Sequence, residues 1–406
     1  MRMPKEPTTH HSHTKPSSYW YLLILALSGF VTSFGAHIVA TNLPVYAEAV
    51  GVGAFVIGLL IGVYDFAELF AKPFAGFVAD RRGMKLTLLV GLAIFIAGSL
   101  LFLAVNPSLL LLIRFIQGLG AAALSTVSIS LVARYFKEGR GKAFGIYNAV
   151  KGAGYIISPA LGGFLAHAYG FSSIFIVSAG VGVMAVLLAL FLPADSEKGE
   201  KLDDDDDDLS LKDFFQIFKE PRLLPIYAVI VINMFMVGIL FGFLPVYLYG
   251  IGYTPVESGT IVSLVTASYL LVQPLSGFLA DRMEIRITVF VGLLLAALSI
   301  IAVTFTSGAM LVIVGILAGI GVGTVWTNSD TLVSSLVDER RLGAGMGAAQ
   351  SFKEFGDMVG PVLIGLLTQL YGVHVGFVAC GALALLFLLL LAASRTLNPP
   401  ASNDIS

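Results

Sequence analysis

The stretch GFVADRRG, residues Gly76–Gly83, returns as GFLADR at Gly277–Arg282, 201 positions later in the chain. The same offset relates many other Gly and Pro residues, and past one inserted residue it becomes 202. Examples are Leu43–Tyr46 with Leu244–Tyr247, Gly58 with Gly259, Gly118 with Gly319, Lys151 with Lys353, Pro159 with Pro361, and Gly163 with Gly365. Gly and Pro set turns and the close approach of backbones. Two similar halves in an apolar chain predict a transporter that rocks one half against the other around a central site.

The composition is that of a membrane protein. Of the 406 residues, 57% are hydrophobic and 12% are charged, whereas soluble domains average about 25% charged residues. A helix crosses the hydrocarbon layer with about 20 apolar residues, and twelve stretches satisfy this. They are residues 19–43, 55–78, 85–105, 108–133, 142–166, 171–192, 223–248, 256–280, 286–305, 309–333, 343–369 and 371–393. The runs are continuous rather than alternating, which excludes a transmembrane barrel.

The sequence therefore predicts an all-α membrane protein with twelve transmembrane helices in two pseudo-symmetric six-helix halves. The predicted segments are an N-terminal tail (1–18), a first half (19–192), an acidic linker (193–222), a second half (223–393) and a C-terminal tail (394–406). Twenty of the 24 Lys and Arg residues lie in the tails or in the loops after even-numbered helices. By the positive-inside rule, both termini and the linker are expected in the cytoplasm, with the helices in the cell (inner) membrane.

Several other features of the sequence predict little chemistry. The first apolar run lacks a small-residue cleavage site, so we expect it to be retained as helix one. The single cysteine, Cys380, excludes an internal disulfide. His10, His11 and His13 are interpreted as a polar tail, and Asp203–Asp208 as a solvated linker, with a regulatory cation site as the less favoured alternative. No cofactor, metal or nucleic acid partner is predicted, and no G-x-x-x-x-G-K-[ST] nucleotide-binding motif is present.

The loop after helix two carries charge at a helix end. Gly76 permits close helix approach, and Asp80 can accept hydrogen bonds from a helix N-terminus or an arginine. Gly76–Lys85 resembles the cytoplasmic loop signature G-x-L-A-D-R-x-G-R-K of the major facilitator superfamily. The resemblance implies that Asp80 and Arg81, with Asp281 and Arg282 in the second copy, latch the two halves in one state. A basic loop that only sets the topology is the alternative, and Glu284 replaces the Gly in the second copy.

Two further motifs resemble those of the same superfamily. Arg114, Gln117, Gly118 and Gly120 match R-x-x-Q-G-x-G-A-A, which implies an inward-facing Arg114 in substrate binding or proton relay. The alternative is an arginine that extends to the membrane surface. Helix five, with Ser158 in place of a Gly, resembles the antiporter signature of drug–proton exporters, and helix eleven repeats its core. Its small residues are expected to seal one side of the pore; they are Gly154, Pro159, Gly162, Gly163, Gly360 and Pro361.

Ionisable residues within the helices are the candidate transport residues. A charge at the bilayer centre costs at least about 2.5–3.5 kcal/mol, so such groups usually face a cavity and a partner. Asp65 and Glu68 map onto Thr266 and Tyr269 in the second half, and function is expected where the repeat is broken. The candidates for proton coupling are Asp65, Glu68, Glu354 and Asp357. The candidates for substrate binding or charge balance are Lys72, Arg114, Gln117, Lys151, Lys353 and Asn42.

Alternatives remain for these charges. They could be satisfied salt bridges that orient helices. Lys151 and Lys353 are expected to face each other near the pseudo-two-fold axis. Asp330 is interpreted equally as a gate or cap and as a transport residue. His37 could relay protons, although a buried, hydrogen-bonded histidine is favoured.

The predicted function is a secondary transporter that works by alternating access and exchanges a cytoplasmic small molecule for external protons. Its partners are the substrate, protons and the lipid bilayer, and a monomer is expected. The alternative is a proton-coupled symporter that imports an anionic or zwitterionic metabolite. A non-transporting receptor on the same scaffold would show no flux. An enzyme is disfavoured because the helices contain no nucleophile–His–acid set.

Overall fold

The structure is a computed structural model, and it describes residues 16–104, 106–136, 140–192, 217–280, 282–337 and 341–394. In this part of the chain the residues form twelve long helices and no β-strand. The first six are α1 (Pro16–Ala49), α2 (Ala54–Arg82), α3 (Met84–Leu101), α4 (Leu110–Tyr135), α5 (Arg140–Tyr169) and α6 (Ser172–Leu190). The second six are α7 (Leu224–Gly250), α8 (Pro255–Ala280), α9 (Ile285–Val303), α10 (Gly308–Leu336), α11 (Leu342–Tyr371) and α12 (Val373–Ser394). The prediction of an all-α fold is confirmed.

Ten of these helices are long and apolar enough to cross a membrane by length and composition. The helix α11 departs from this pattern because Lys353, Glu354 and Asp357 lie in its middle. In α12 the described apolar stretch is the shorter segment Val373–Leu389. Residues 1–15, 193–216 and 395–406 lie outside the described residues, as does Asp281. The expectations for His10, His11 and His13, for Asp203–Asp208 and for the latch at Asp281 fall on this part of the chain.

The repeat predicted from the sequence is visible in the backbone. Gly51 and Gly252, which share the 201-residue offset, have φ angles of 83° and 96° after α1 and α7. Gly170 and Gly372 have φ angles of 80° and 91° after α5 and α11. These left-handed conformations favour glycine, because a Cβ atom strains the backbone there. Equivalent turns in the two halves therefore use glycine for the same reason.

Helix packing follows the same symmetry. In the first half α1 packs on α5 and α6, while α4 packs on α2 and α3. In the second half α7 packs on α11 and α12, while α10 packs on α8 and α9. The two halves meet where α2 packs on α11 and where α5 packs on α8, and the repeat interchanges these two contacts. Each of these four helices contains an internal proline, which removes one main-chain hydrogen bond and permits bending.

Twelve antiparallel spans bring both described chain ends to one side of the molecule. We call this side, where α1 begins and α12 ends, the terminal face, and the other side the opposite face. The loop after α2 lies at the terminal face, where Gly83, with a φ angle of 101°, joins α2 to α3. Lys85 fixes this loop, because its Nζ donates to the carbonyls of Leu190 and Leu192 at the end of α6, at 2.8 and 2.5 Å.

Candidate functional site

A cavity of about 760 Å³ lies between the two halves, a size typical of small-molecule sites. We call it the central cavity. Its wall begins near Thr41 and Pro361, in the parts of α1 and α11 closer to the opposite face. It extends to Ile129 and Gln350, in the parts of α4 and α11 closer to the terminal face. The central cavity therefore lies in the inner and terminal-face parts of the molecule.

Toward the opposite face, the halves meet in two backbone crossings, which we call the closed end. A Cβ atom at Gly58 of α2 would collide with the carbonyl oxygen of Pro361 in α11. At the repeat-related position, a Cβ at Gly259 of α8 would collide with the carbonyl oxygen of Pro159 in α5. The amide of Ala160 also donates to Ser263 Oγ at 2.9 Å. Such contact between main chains is possible only where a side chain is absent.

The glycines of the antiporter signature in α5, and of its repeat in α11, have two roles. Gly163 lies against the backbone of Pro255 in α8, and Gly365 lies against Ala54 in α2, so both belong to the closed end. Gly154 and Gly162 instead face α1, and Gly360 faces α7. The last three therefore pack helices within a half, whereas Pro159, Gly163 and Pro361 lie between the halves.

One lysine connects the halves beside the central cavity. Lys72 Nζ of α2 lies 2.8 Å from Glu354 Oε1 of α11 and 3.2 Å from Glu68 Oε1 of its own helix. Ser125 Oγ donates to Glu68 at 3.0 Å, and Gln350 Nε2 donates to Glu354 at 3.3 Å. Two of the four predicted proton-coupling carboxylates thus share one cation and have hydrogen-bond donors.

The substitution Lys72→Met is expected to weaken this contact between the halves. It would leave Glu68 and Glu354 close together without the cation between them. We expect a loss of about 1.5 kcal/mol, the lower end of the range for hydrogen bonds to charged groups, because the Lys72 side chain is 31% exposed. Thermal unfolding in detergent measures the change. Lys72→Arg, which keeps the charge, is the control, and an unfolding temperature that falls equally in both variants would contradict the prediction.

The other two candidate carboxylates lack such partners. Asp65 of α2 and Asp357 of α11 both line the central cavity. Within the described part of the chain, neither has an ion pair within 4 Å or a hydrogen bond to its carboxylate. Asp65 acts electrostatically on Asp357, and Arg114 acts on Asp65 without forming an ion pair with it. One carboxylate from each half therefore faces the same cavity unpaired.

A basic region lies on α4 and α5. Arg114 Nη1 donates to Gln117 Oε1 at 2.5 Å, and its guanidinium stacks 4.0 Å from the centre of the Tyr64 ring. Gln117 is fully buried and donates from Nε2 to Ser99 Oγ at 3.0 Å. Lys151 Nζ lies 5.9 Å from the Tyr155 ring centre. Arg114 and Lys151 both line the cavity, and among the described residues neither has a carboxylate within ion-pair distance.

The structure places three predicted site residues away from the cavity wall. Lys353 is 3% exposed and forms an ion pair with Asp330 Oδ2 at 2.6 Å, with its ammonium 4.3 Å from the Trp326 ring centre. The expected face-to-face arrangement of Lys151 and Lys353 is therefore wrong, because Asp330 neutralises Lys353 inside the second half. Gln117 holds Arg114 rather than lining the cavity. Asn42 donates to the carbonyl of Ile38 at 2.9 Å and lies near the closed end.

His37 lines the central cavity and is hydrogen-bonded, as favoured from the sequence. Its Nδ1 lies 2.9 Å from the carbonyl oxygen of Ser33, one turn earlier. Its ring centre lies 3.8 Å from that of Tyr155. A carbonyl oxygen only accepts hydrogen bonds, so Nδ1 carries the proton in this arrangement.

The predicted latch residues are at the terminal face. Asp80 is exposed, and it has no hydrogen bond or ion pair to any described residue. Arg81 stacks 4.2 Å from the Phe77 ring, and its repeat mate Arg282 stacks 4.2 Å from the Phe278 ring. The two arginines occupy equivalent places, each against an aromatic residue of its own helix. In this conformation the loop charges do not connect the halves through Asp80.

Sequence reasoning did not find the polar and aromatic groups that hold the charges. Ser99 links Gln117 to Ser178, whose Oγ lies 3.1 Å away and donates to the carbonyl of Gly35 at 2.8 Å. The signal was Ser99 in α3 and Ser178 in α6, each flanked by small or apolar residues. The sequence contains 29 Phe and 14 Tyr residues, so its pattern does not show which aromatic residues line the cavity. Those in the wall include Tyr64, Tyr155, Phe241, Tyr269 and Trp326.

The sequence profile of the Major Facilitator Superfamily matches residues 25–267 and 250–406. The chain belongs to the major facilitator superfamily. Like other members of this superfamily it is a multi-pass membrane transporter of small molecules and not an enzyme. It is 24% identical to an uncharacterized MFS-type transporter of Methanocaldococcus jannaschii, over 87% of this chain and 92% of that protein.

One further relative of this superfamily member is named as an efflux pump and another as a multidrug resistance protein. It is 25% identical to the multi-drug resistance efflux pump PmrA of Streptococcus pneumoniae, over 90% of this chain and 94% of that protein. It is 26% identical to the multidrug resistance protein Stp of Mycobacterium tuberculosis, over 85% of this chain and 74% of that protein.

Solved structures share the fold. A variant of the nucleoside transporter NupG superposes with a TM-score of 0.82 at 15% identity, over 93% of this chain and all of that chain. A bacterial homologue of the lysosomal transporter Spinster, in an inward-facing and unoccupied conformation, has a TM-score of 0.79 at 18% identity, over 96% of this chain and all of that chain. These likenesses confirm the major facilitator fold of the two halves.

Proposed function

We propose that this protein is a proton-coupled antiporter that exports a small organic compound from the cytoplasm. The observation that carries the proposal is the pair of carboxylates, Asp65 and Asp357, in the central cavity, one from each half, which have no ion-pair partner among the residues that the structure describes. An unpaired charge away from bulk water is costly. A bound proton or a cationic group of the substrate removes this cost, so the two compete for the same carboxylates.

Competition of this kind produces antiport. Substrate that binds from one side displaces protons, and protons that bind from the other side displace substrate. Each exchange accompanies a change in which face of the cavity is open, and the ligand shifts this equilibrium through its different affinity for the two states. Glu68 and Glu354 share Lys72, so we assign them the secondary role of adjusting the charge around Asp65 and Asp357.

The orientation follows from the loops. We place the terminal face in the cytoplasm because its loops and the tails carry most of the Lys and Arg residues. The conformation then has its closed end toward the outside and its cavity toward the cytoplasm, where a compound for export would enter. Relatives named as a multi-drug resistance efflux pump and as a multidrug resistance protein support the export direction. Both halves of the cavity come from one chain, so we propose that a monomer transports.

A second candidate is symport of an anionic or zwitterionic compound into the cell. The observation in its favour is that Arg114 and Lys151 line the cavity without a carboxylate partner among the described residues. In that case the anionic group binds at these cations, and protons enter with the substrate. The two functions differ in the sign of the proton gradient that drives accumulation.

Proteoliposomes separate the two candidates. The probes are rhodamine B and its ethyl ester, a permanent cation that a pH gradient alone does not accumulate. Vesicles with an acidic interior are expected to accumulate at least one dye, and nigericin, which abolishes the gradient, is expected to prevent this. Protein-free vesicles are the control. Accumulation only when the exterior is acidic would favour symport, and accumulation equal to that of protein-free vesicles would contradict both functions.

A further inference from the structure

Four unpaired charges, two of each sign, line the central cavity. Asp65 and Asp357 are the acidic pair, and Arg114 and Lys151 are the basic pair. Within the described part of the chain, no ion pair within 4 Å involves any of the four. In contrast, the neighbouring Lys72 forms ion pairs with Glu68 and Glu354, and Lys353 forms one with Asp330. Opposite charges in the same cavity therefore remain apart while others pair.

The basic groups are held on the first half. The Arg114 guanidinium is bound on one side by Gln117 and stacked on Tyr64. Gln117 cannot turn away easily, because its amide also donates to Ser99, whose hydroxyl interacts with Phe95 and Ser178. The Nε atom of Arg114 is buried and has no hydrogen-bond acceptor. Arg114 thus keeps donor capacity that the protein does not use.

The acidic groups are held where α2 meets α11. Gly62 of α2 lies against the carbonyl oxygen of Met358 in α11. Asp65 follows Gly62 by three residues and Asp357 directly precedes Met358, so both positions adjoin this tight backbone crossing. That crossing restricts how far either helix can move toward α4 and α5. Backbone packing therefore sets the positions of the acidic pair, and buried hydrogen bonds set that of Arg114, rather than mutual attraction between the pairs.

We infer that the substrate of this transporter is a zwitterion, whose anionic group binds Arg114 and Lys151 and whose cationic group binds Asp65 and Asp357. A ligand with both charges satisfies both pairs at once. A purely cationic compound would leave Arg114 and Lys151 unpaired, and a purely anionic compound would leave the carboxylates unpaired, each at the cost of buried charge. The inference names the substrate class for the proposed proton-coupled site and rests on that proposal.

The body of the substrate is expected to be flat and aromatic. Tyr64, Tyr155, Tyr269 and Trp326 all contribute to the cavity wall. Tyr269 meets Trp326 at a ring-centre distance of 5.8 Å in an edge-to-face arrangement. Aromatic walls bind planar rings with a large apolar contact area, while the charged groups at two sides of the cavity set the orientation.

A matched pair of dyes tests the inference on the purified full-length protein. Rhodamine B carries a carboxylate and a delocalised cation, and its ethyl ester carries only the cation. Fluorescence polarisation in detergent gives the Kd of each. We expect rhodamine B to bind at least about tenfold more tightly than the ester, which corresponds to about 1.4 kcal/mol. Fluorescein, which has the anionic group without the cation, is expected to bind more weakly than rhodamine B.

Two variants assign the preference to the basic pair. Lys151→Met is expected to bring the Kd of rhodamine B to that of the ester while leaving the Kd of the ester unchanged or lower, which also shows that the variant is folded. Lys142→Met makes the same chemical change on the same helix at an exposed position, and the tenfold preference is expected to remain. Equal affinities in the wild type, or a preference that survives in Lys151→Met, would overturn the inference.

Proton release in the same samples separates this inference from the proposed function. If the ester binds and releases protons but rhodamine B binds no better, the substrate class is wrong and proton coupling stands. If rhodamine B binds preferentially and neither dye releases protons, the substrate class stands and proton coupling is wrong.

Discussion

The double substitution Asp65→Asn/Asp357→Asn is expected to reduce proton-driven accumulation to that of protein-free vesicles. An amide resembles a carboxylate in shape but cannot bind the transported proton, so a pH gradient no longer acts on the site. Exchange of labelled for unlabelled substrate across the membrane needs no proton and is expected to continue at a reduced rate. Accumulation and exchange in proteoliposomes are the two measurements, and their separation distinguishes lost coupling from a misfolded protein.

The control for this experiment is Glu284→Gln, a similar change at an exposed position at the terminal face, which is expected to transport as the wild type does. The two single variants show whether proton coupling needs one carboxylate or both. If both Asp65→Asn and Asp357→Asn abolish accumulation, each carboxylate is required. Full accumulation in the double variant would contradict the assignment and would move coupling to Glu68 and Glu354.

Closure at the opposite face is expected to be lost when both backbone crossings are blocked. In Gly58→Leu/Gly259→Leu, each new side chain would occupy the place of the Pro361 or Pro159 carbonyl. Backbone atoms cannot be displaced by a side-chain rotation, so the helices must separate. We expect net transport to fall to the background of protein-free vesicles, and the molecule to remain open toward the opposite face.

Thiol labelling measures this opening. Thr41 lies between the central cavity and the closed end, and Thr41→Cys in a Cys380→Ala background provides one reactive position. A membrane-impermeant reagent added from the opposite face is expected to label the blocked variant much faster than the unblocked one. Gly180→Leu is the control, because a Cβ there meets no atom within 4 Å. Equal labelling rates in all three proteins would show that these glycines are not the seal.

The internal repeat made most of the fold predictable. Paired Gly and Pro residues gave the equivalence of the halves before any packing was known, and Pro159 and Pro361 indeed occupy equivalent crossings. The identity of the intramembrane charges was equally accessible, because Asp65 and Glu68 stand out in an apolar helix. Asp65, Glu68 and Lys72 are spaced at i, i+3 and i+7, which puts them on one face of a helix, and the structure shows Glu68 and Lys72 in contact.

The sequence was much less informative about which group each charged side chain contacts. Lys353 was expected near Lys151 because the repeat relates them, yet Asp330 has no acidic counterpart in the first half, where Ile129 occupies the equivalent position. That single difference neutralises one lysine and leaves the other unpaired. Likewise, Gln117 was a candidate binding residue through the motif it shares with Arg114, whereas the structure shows it bound to Ser99 of α3. The distance between two helices is set by small residues in both of them, and the second helix is often distant in the sequence. A local sequence pattern therefore does not reveal which groups meet.

The two backbone crossings of the closed end have an evolutionary consequence, because main-chain atoms form them. Where a carbonyl oxygen lies against a glycine Cα atom, no side chain can be exchanged for another; Ser263 beside the second crossing is the added side-chain contact. Selection can therefore vary wall side chains such as Tyr64 and Trp326 without changing the atoms of these crossings. Gly58 and Gly259 are not part of the cavity wall, so new compounds can be accommodated while the membrane remains tight.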